Sequence, residues 1–193
     1  MAKIGLLKPK YSKITVGTDA SGNDTETYGP VKPFAKAISA TTSVNTAKTK
    51  LYADDGVAEM VNEFMSGQIT FNSDDMEDDV EADIAGATVD EETGSIRNKD
   101  TDEPVYIRFG FLVRRMKANK TQYRAVIFAK VMFDVPADDY ETKGESIVFK
   151  STTVSGEIMR NKDHDWRIKS KWLDKESDAE EFLTTNLAPG ASV

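Results

Sequence analysis

Hydrophobic and polar residues alternate along several segments, which predicts a chain built mainly of β-strands. In residues 106–113, Ile107 and Phe109 begin an apolar face with a period of two. Residues 123–133 are almost continuously apolar, as expected of a strand that is covered on both faces. The polar segment 118–121 between them predicts a hairpin turn, and residues 146–159 predict a further long strand.

The segment 166–172, WRIKSKW, also alternates. We expect Trp166, Ile168 and Trp172 on one face of a strand and the three basic side chains on the other. Because both tryptophans share a face with an isoleucine, this pattern favours core packing over a ligand-stacking role.

Two segments have helical periodicity. In residues 73–87, Asp74 as N-cap with Glu77 three positions later forms a capping-box pattern, and Gly86 marks the end of the helix. Met76, Val80 and Ile84 recur at helical spacing and form the buried stripe.

A second helix is predicted over 177–187, with Ser177 as N-cap and Glu180 completing the capping box. We expect residues 1–187 to form a single domain and residues 188–193 to form a flexible C-terminal tail. The fold class is therefore mainly β with α, and the alternation of apolar and polar faces indicates antiparallel sheets.

Three of the strands carry an unusual polar face. Their apolar faces are ordinary, but the opposite faces bear short and mostly uncharged polar groups rather than the lysines and glutamates of a typical exposed sheet. Either this is a solvated antiparallel sheet, or it is a broad, smooth polar wall. The residues concerned are Ser39, Thr41, Ser43, Gln68, Thr70, Asn72, Ser151, Thr153, Ser155 and Glu157.

A long connection, residues 47–65, lies between the first two of these strands. It is too long for a tight hairpin and too apolar for disorder, so we expect an inter-strand loop that buries its side chains against a neighbouring subunit. The candidate contact residues are Lys50, Leu51, Tyr52, Asp54, Asp55, Met60 and Phe64.

Composition excludes several classes of function. The 193 residues include 25 Lys+Arg and 33 Asp+Glu, so the net charge is -8, and an acidic surface repels a phosphate backbone. The absence of cysteine excludes disulfides and zinc–thiolate sites, and His164 is the single histidine. No segment resembles a signal peptide or a membrane span, which predicts a soluble protein made in a cytoplasm.

The acidic clusters offer little chemistry. Residues 19–24 and 98–103 lack the glycine position of an EF-hand loop, and Asp54 and Asp55 would point apart on a strand. We therefore predict no catalytic residue, no metal and no cofactor, and a surface position for His164. Two alternative hypotheses remain: a calcium-dependent binding or decoration module that uses the acidic loops, and a hydrolase with paired acids.

Several segments resemble a known family when they are taken together and in order. They are AKIGLLKPKYSKI at the N-terminus, the AISA strand, KLYADDGVAE, DDVEADIAGAT with DEETG after it, the central FGF strand and TKGES. Their combination resembles the major tail protein, or tail tube subunit, of long-tailed bacteriophages, in particular the phi13-type family. The resemblance extends from about Lys3 to the C-terminal helix.

This resemblance implies a structural virion protein, made in the host cytoplasm, rather than an enzyme. It implies an antiparallel β-sandwich or partial barrel flanked by a helix, which assembles with itself into stacked homohexameric rings. The inner sheets join into one large β-barrel, through which double-stranded DNA passes without specific binding. Tape-measure, tail-tip and tail-terminator proteins are the implied partners.

The resemblance also gives roles to the segments described above. KLYADD matches the family's long hairpin loop, which reaches between subunits and rings, so Tyr52 and Leu51 become its anchors. The polar wall becomes the lumen of the tube. The basic residues of WRIKSKW are expected on the outer sheet, or paired with acids of a neighbour.

Overall fold

The computed structural model describes residues 2–53, 56–90, 92–103, 105–136 and 151–190. Within these ranges, the side chains of residues 2–3, 51–53 and 56–59 are not described. Within these ranges the chain is mainly antiparallel β-structure with two helices, which confirms the predicted fold class. The strands are β1 Ala2–Thr18, β2 Asp24–Tyr28, β3 Lys32–Pro33, β4 Ala37–Ala53, β5 Gly56–Ser73, β6 Thr88–Val89, β7 Ile96–Arg97, β8 Tyr106–Lys117, β9 Lys120–Phe133, β10 Thr152–Met159 and β11 Arg167–Lys169. The helices are α1 Asp78–Ala85 and α2 Glu176–Leu187.

One large sheet contains most of the strands, in the order β2-β1-β8-β9-β10-β5-β4, while β3 pairs with β1 and β11 with β9. The sheet curls without closing, so that Leu6 on β1 and Ala40 on β4 line the same cavity although their strands are far apart in the order. β6 and β7 form a separate small hairpin. The result is a sandwich-like partial barrel.

The central hairpin β8–β9 confirms the predicted turn. Lys117 pairs with Lys120, and both intervening residues, Ala118 and Asn119, have positive φ values of 48° and 59°. Two such residues match the twist of the flanking strands, as in a type I′ turn.

A β-bulge in β9 increases the number of apolar side chains that face the interior. Ile107 pairs with Val131 and Phe109 with Phe128, so β9 has one more residue than β8 over this interval. Phe128 and Val131 therefore both join the inner core. This core also includes the fully buried rings Tyr11, Phe71, Phe109 and Phe133.

The outer face of the same hairpin supports α2. Leu112 and Ile127 pack against Leu183 and Leu187 in a second buried cluster. Gly110 allows this close approach, because a Cβ atom there would lie 2.7 Å from Cδ1 of Leu183. The predicted second helix is confirmed, apart from its cap.

The predicted N-caps are wrong at both helices. Asp74 stays at the end of the sheet, where its N–H donates to the Lys36 carbonyl at 3.0 Å, so α1 begins later, with Glu77 in the N-cap position and no side-chain capping bond. At the other end Gly86 is the C-cap in the left-handed conformation, with φ 71°, as predicted. The predicted stripe of Met76, Val80 and Ile84 is buried.

In α2 the N-cap position is Lys175, and Ser177 lies inside the helix, where its Oγ bonds to the Asp178 carboxylate at 3.0 Å. Glu180 completes no capping box. It instead pairs with Lys8 and Lys10 of β1, because a bulge in β1 at this point lets both lysines reach the helix.

The long loop expected over residues 47–65 is a paired structure instead. β4 and β5 remain paired from Asn45↔Ser66 to Ala53↔Gly56, with two bulges, so only residues 54 and 55 lie between the two strands. We call residues 45–53 with 56–66 the ribbon. The strand expected over 146–159 is observed from Thr152 to Met159, and its first residues lie outside the described part of the chain.

Candidate functional site

The predicted polar wall is present on one face of β4, β5 and β10. The antiparallel registers place its residues side by side across the three strands, because each pairing joins residues of the same face. The resulting rows are Ser39–Asn72–Thr153, Thr41–Thr70–Ser155 and Ser43–Gln68–Glu157.

The side chains of the wall are exposed, apart from the half-buried Asn72. On β5 and β10 the residues that alternate with them are buried, whereas Ile38 and Val44 on β4 are exposed. Ile69 and Phe71 of β5 and Val154 of β10 all point into the core. Asn72 donates to Oγ1 of Thr153 at 2.9 Å, which ties two strands together within the wall. Ser151, the remaining predicted wall residue, is exposed just before β10.

The wall contains one carboxylate, Glu157, and no basic residue. Glu157 pairs with Met132 of β9, and both line a shallow depression together with Asp134. Charge on this face is therefore sparse and negative, so the face offers nothing that would bind a phosphate backbone.

The wall ends at β4, which is the last strand of the sheet. Only β5 pairs with β4, and the other edge of β4 has no strand partner, among the residues that the structure describes. The strand β2 occupies the opposite end of the sheet. Free edges of this kind are templates for pairing with another chain.

The ribbon extends beyond the sandwich with apolar side chains in solvent. Met60, Val61 and Met65 are 58%, 53% and 61% exposed, and Lys50 is exposed as well. From residue 45 to residue 53 the ribbon spans about 26 Å at ~3.3 Å per residue. Of the predicted contact residues, Asp54 and Asp55 lie outside the described part of the chain, as do the side chains of Leu51 and Tyr52.

Phe64, which we expected to contact a neighbour, packs within its own chain. Its ring stacks on Trp166, and its carbonyl accepts a hydrogen bond from the guanidinium of Arg160 at 2.8 Å. Trp166 in turn packs against the inner core, as predicted. Phe64 therefore belongs to the base of the ribbon.

A polar wall, a free sheet edge and a projecting apolar ribbon are features of a subunit that joins its sheet to others. A model of the phage tail tube protein family matches residues 12–176. The chain belongs to this family. A search of curated proteins returns no significant match.

Membership makes this tail tube protein a structural component of the phage virion that assembles with itself and with other tail proteins. The resemblance found from the sequence is thereby confirmed. In the described part of the chain, neither helix is long and apolar enough to cross a membrane. Among the same residues, no group of three or more His, Asp or Glu side chains is arranged to hold a metal ion.

The tail tube protein also has a basic cavity that the sequence pattern did not indicate. Arg167 and Lys169 of β11 line this cavity together with Arg124 and Trp172. The predicted sharing of one face by Ile168 and Trp172 is wrong, because Ile168 packs against the α2 cluster. Only residues 167–169 form a strand, so the alternation does not continue to residue 172.

The helix α1 is held to the sandwich by Asp83. This carboxylate contacts Nζ of Lys13 at 2.6 Å, Nζ of Lys32 at 2.7 Å and the hydroxyl of Tyr11 at 2.7 Å. Partial burial opposes ionisation, but these hydrogen bonds outweigh it and lower the pKa of Asp83. Burial and the bond to Asp83 raise the pKa of Tyr11, so its hydroxyl stays a donor.

His164 occupies an exposed turn, in agreement with its predicted surface position. It has a positive φ of 65°, and its N–H donates to the Asn161 carbonyl at 3.1 Å. Asn161 organises the turn, because its side-chain oxygen accepts the N–H groups of Asp163 and Asp165. The imidazole therefore belongs to the exposed loop between β10 and β11.

Proposed function

We propose that this chain forms homohexameric rings which stack into the tail tube of a long-tailed phage, and that DNA passes through the tube during ejection. The observation that carries the proposal is the polar wall next to the free edge of β4. If the wall faces the lumen, the sheets of neighbouring subunits join through the edges that a single subunit leaves unpaired. The number six rests on the resemblance to phi13-type major tail proteins.

The chemistry of the wall suits a conduit for DNA. A face of hydroxyl and amide groups with a single carboxylate per subunit makes no ionic contacts with phosphates, so the DNA is repelled weakly and is not held. This supports passage without specific binding. Tape-measure, tail-tip and tail-terminator proteins would then meet the tube at its lumen and its two ends.

The ribbon supplies the second kind of contact. Met60, Val61 and Met65 expose apolar surface, which does not stabilise a monomer in water. This surface projects far from the sandwich. We assign it to contacts with a neighbouring subunit or ring, with Lys50 at the margin of the contact and with Leu51, Tyr52, Asp54 and Asp55 at the end of the ribbon.

Negative-stain electron microscopy of the purified protein at low and high concentration tests the proposal. We expect rings or hollow tubes with sixfold end views at high concentration. A matched pair of variants, Met60→Asp in the ribbon and Thr88→Asp in β6, locates the contact. Assembly should be lost only in Met60→Asp, with both proteins folded. Closed rings with another number of subunits would contradict the hexamer. Tubes that still form with Met60→Asp would contradict the role of the ribbon in assembly.

A further inference from the structure

A cavity of about 330 Å³ lies where the curled sheet brings β1, β4, β8, β9 and β11 together. Its floor is apolar and includes Phe111 and Val126, while its basic side chains are Arg124, Arg167 and Lys169. The side chains of Thr42 and Lys169 are exposed, so the cavity opens to solvent between them.

Two of the cations in this cavity, Arg124 and Arg167, have no carboxylate partner in the part of the chain that the structure describes. Among the same residues, Nε of Arg124 is buried without a hydrogen-bond acceptor. Burial also lowers the pKa of Arg167. A buried guanidinium N–H without an acceptor is costly, and an anion in the cavity would supply the missing acceptor.

Two arginine side chains contact the ring of Trp172 at this cavity. The guanidinium of Arg124 lies 4.6 Å from the centre of its ring, and that of Arg115 lies 3.8 Å from it. Arg115 is itself fixed by Gln122, whose side-chain oxygen accepts its Nη2 at 2.8 Å. These contacts orient the forked donors of Arg124 before any ligand arrives, which favours a planar acceptor such as a carboxylate.

The chain's own ribbon cannot supply that carboxylate. Thr42 at the mouth of the cavity and Ala53 at the end of β4 belong to the same paired strand. The eleven residues that follow Thr42, up to and including Ala53, span about 36 Å of strand at ~3.3 Å per residue. An acidic ribbon end that enters the cavity must therefore come from another copy.

We infer that the cavity binds the ribbon end of a second copy, residues 51–55, through its two adjacent carboxylates. The charges are complementary: Asp54 and Asp55 meet Arg124, Arg167 and Lys169, in a chain whose net charge is otherwise -8. The inference rests on the proposed self-assembly, and it adds to it the surface that receives the ribbon.

Disulfide cross-linking tests this placement, because the chain has no cysteine of its own. The protein with Asp55→Cys and Thr42→Cys should form inter-subunit disulfides under mild oxidation. The matched control combines Asp55→Cys with Thr88→Cys, because Thr88 on β6 is also an exposed threonine. We expect at least tenfold more cross-linked product from the first pair. Equal yields from the two pairs would overturn the inference.

A charge exchange tests the chemistry. In the cross-linking background, Arg167→Glu should reduce the yield at least tenfold, Arg167→Gln should reduce it less, and Asp54→Arg together with Arg167→Glu should restore it. Thermal unfolding of each variant shows that the fold is retained, and Arg167→Gln replaces Arg167→Glu if the latter does not fold. If the cross-linking yield does not depend on the charge at position 167, an ionic contact is refuted.

Electron microscopy of the same samples without cysteines separates this inference from the proposed function. Tubes with no selective cross-link would overturn the inference and leave the tail tube function standing. A selective cross-link in a protein that forms no tubes would support the cavity contact and contradict the proposed assembly. If neither tubes nor a selective cross-link is observed, the proposed function and the cavity contact are both refuted.

Discussion

The rings of Phe64 and Trp166 stack with their centroids 4.6 Å apart and their planes inclined by 8°. Phe64 lies where the ribbon leaves the sandwich, and Arg160 holds its backbone carbonyl at 2.8 Å. The base of the ribbon is therefore fixed to the body, although the rest of it is exposed. A ribbon with a fixed direction loses less conformational entropy when it binds a neighbour than a mobile loop would.

Phe64→Ala should lower the free energy of unfolding by about 1–2 kcal/mol, since the side chain is half-buried and a stacked aromatic pair adds ~0.5–1.5 kcal/mol to the burial of area. Urea unfolding followed by tryptophan fluorescence measures the change. Met60→Ala is the control on the same strand, and because Met60 is exposed its effect should stay within about 0.5 kcal/mol. Equal effects of the two changes would contradict the distinction between the base and the projecting part of the ribbon.

Asp83 predicts an acid-dependent loss of stability. Because the pKa of Asp83 is lowered in the folded state, its contribution is fully present above the unfolded-state pKa of about 3.9 and is lost as the pH falls through the folded-state pKa. Asp83→Asn should cost about 1–3 kcal/mol near neutral pH, because the bonds to Lys13, Lys32 and Tyr11 are weakened or lost.

The measurement is urea unfolding of wild type and Asp83→Asn from pH 7 to pH 2.5. The two curves of stability against pH should converge below pH ~4. Asp100→Asn, at an exposed loop position, controls for the general effect of removing a negative charge and should give a small, nearly constant difference. A difference for Asp83→Asn that does not shrink in acid would mean that the network does not depend on its ionisation.

The strands and their polar faces were predictable because a period of two is a local property of the sequence. Predicting the wall required only that Thr41, Thr70 and Ser155 lie on the polar faces of their strands, because the antiparallel registers then place them side by side. The hairpin turn at residues 118–119 was equally local, since its position follows from the two apolar runs around it.

The ribbon and the cavity were not predictable from local patterns. Residues 47–65 do not alternate cleanly, because bulges near positions 45 and 51 shift the register, so their pattern predicts a loop rather than two strands. The cavity depends on the curl of the sheet, which brings Arg124 and Arg167 close to β4 from distant parts of the sequence. The predicted helix caps are wrong for a similar reason, because contacts distant in sequence compete with them. Asp74 is held at the end of the sheet by a backbone hydrogen bond, and Glu180 forms ion pairs with two lysines of β1.

Gly110→Ala should loosen α2 from the sheet. The new Cβ would lie 2.7 Å from Cδ1 of Leu183 and 2.9 Å from the Val126 carbonyl oxygen, and the second of these atoms belongs to the backbone and has little freedom to move. We expect a loss of about 1–3 kcal/mol in urea unfolding, as for other overpacked cores. Gly5→Ala is the matched control, since its nearest neighbours lie at 3.8 Å. A neutral Gly110→Ala would show that α2 shifts without cost.

Ser155→Lys tests whether the polar wall faces DNA. Ser155 lies in the middle row and is exposed, so the stability of the monomer should change by no more than about 0.5 kcal/mol. In a tube, however, the change would add one cation per subunit to the lumen. Each phosphate contact adds a salt-dependent term to DNA affinity, and many repeated contacts would retain the DNA.

The measurement is triggered DNA release from phage particles that carry the variant protein, followed with a DNA-binding dye at several salt concentrations. Ser155→Lys should slow release, and added salt should restore it because it screens the lysine–phosphate contacts. Thr88→Lys on β6 adds the same charge away from the wall and should release DNA like the wild type. If both variants release DNA at the wild-type rate, while both assemble normally, the wall does not line the path of the DNA.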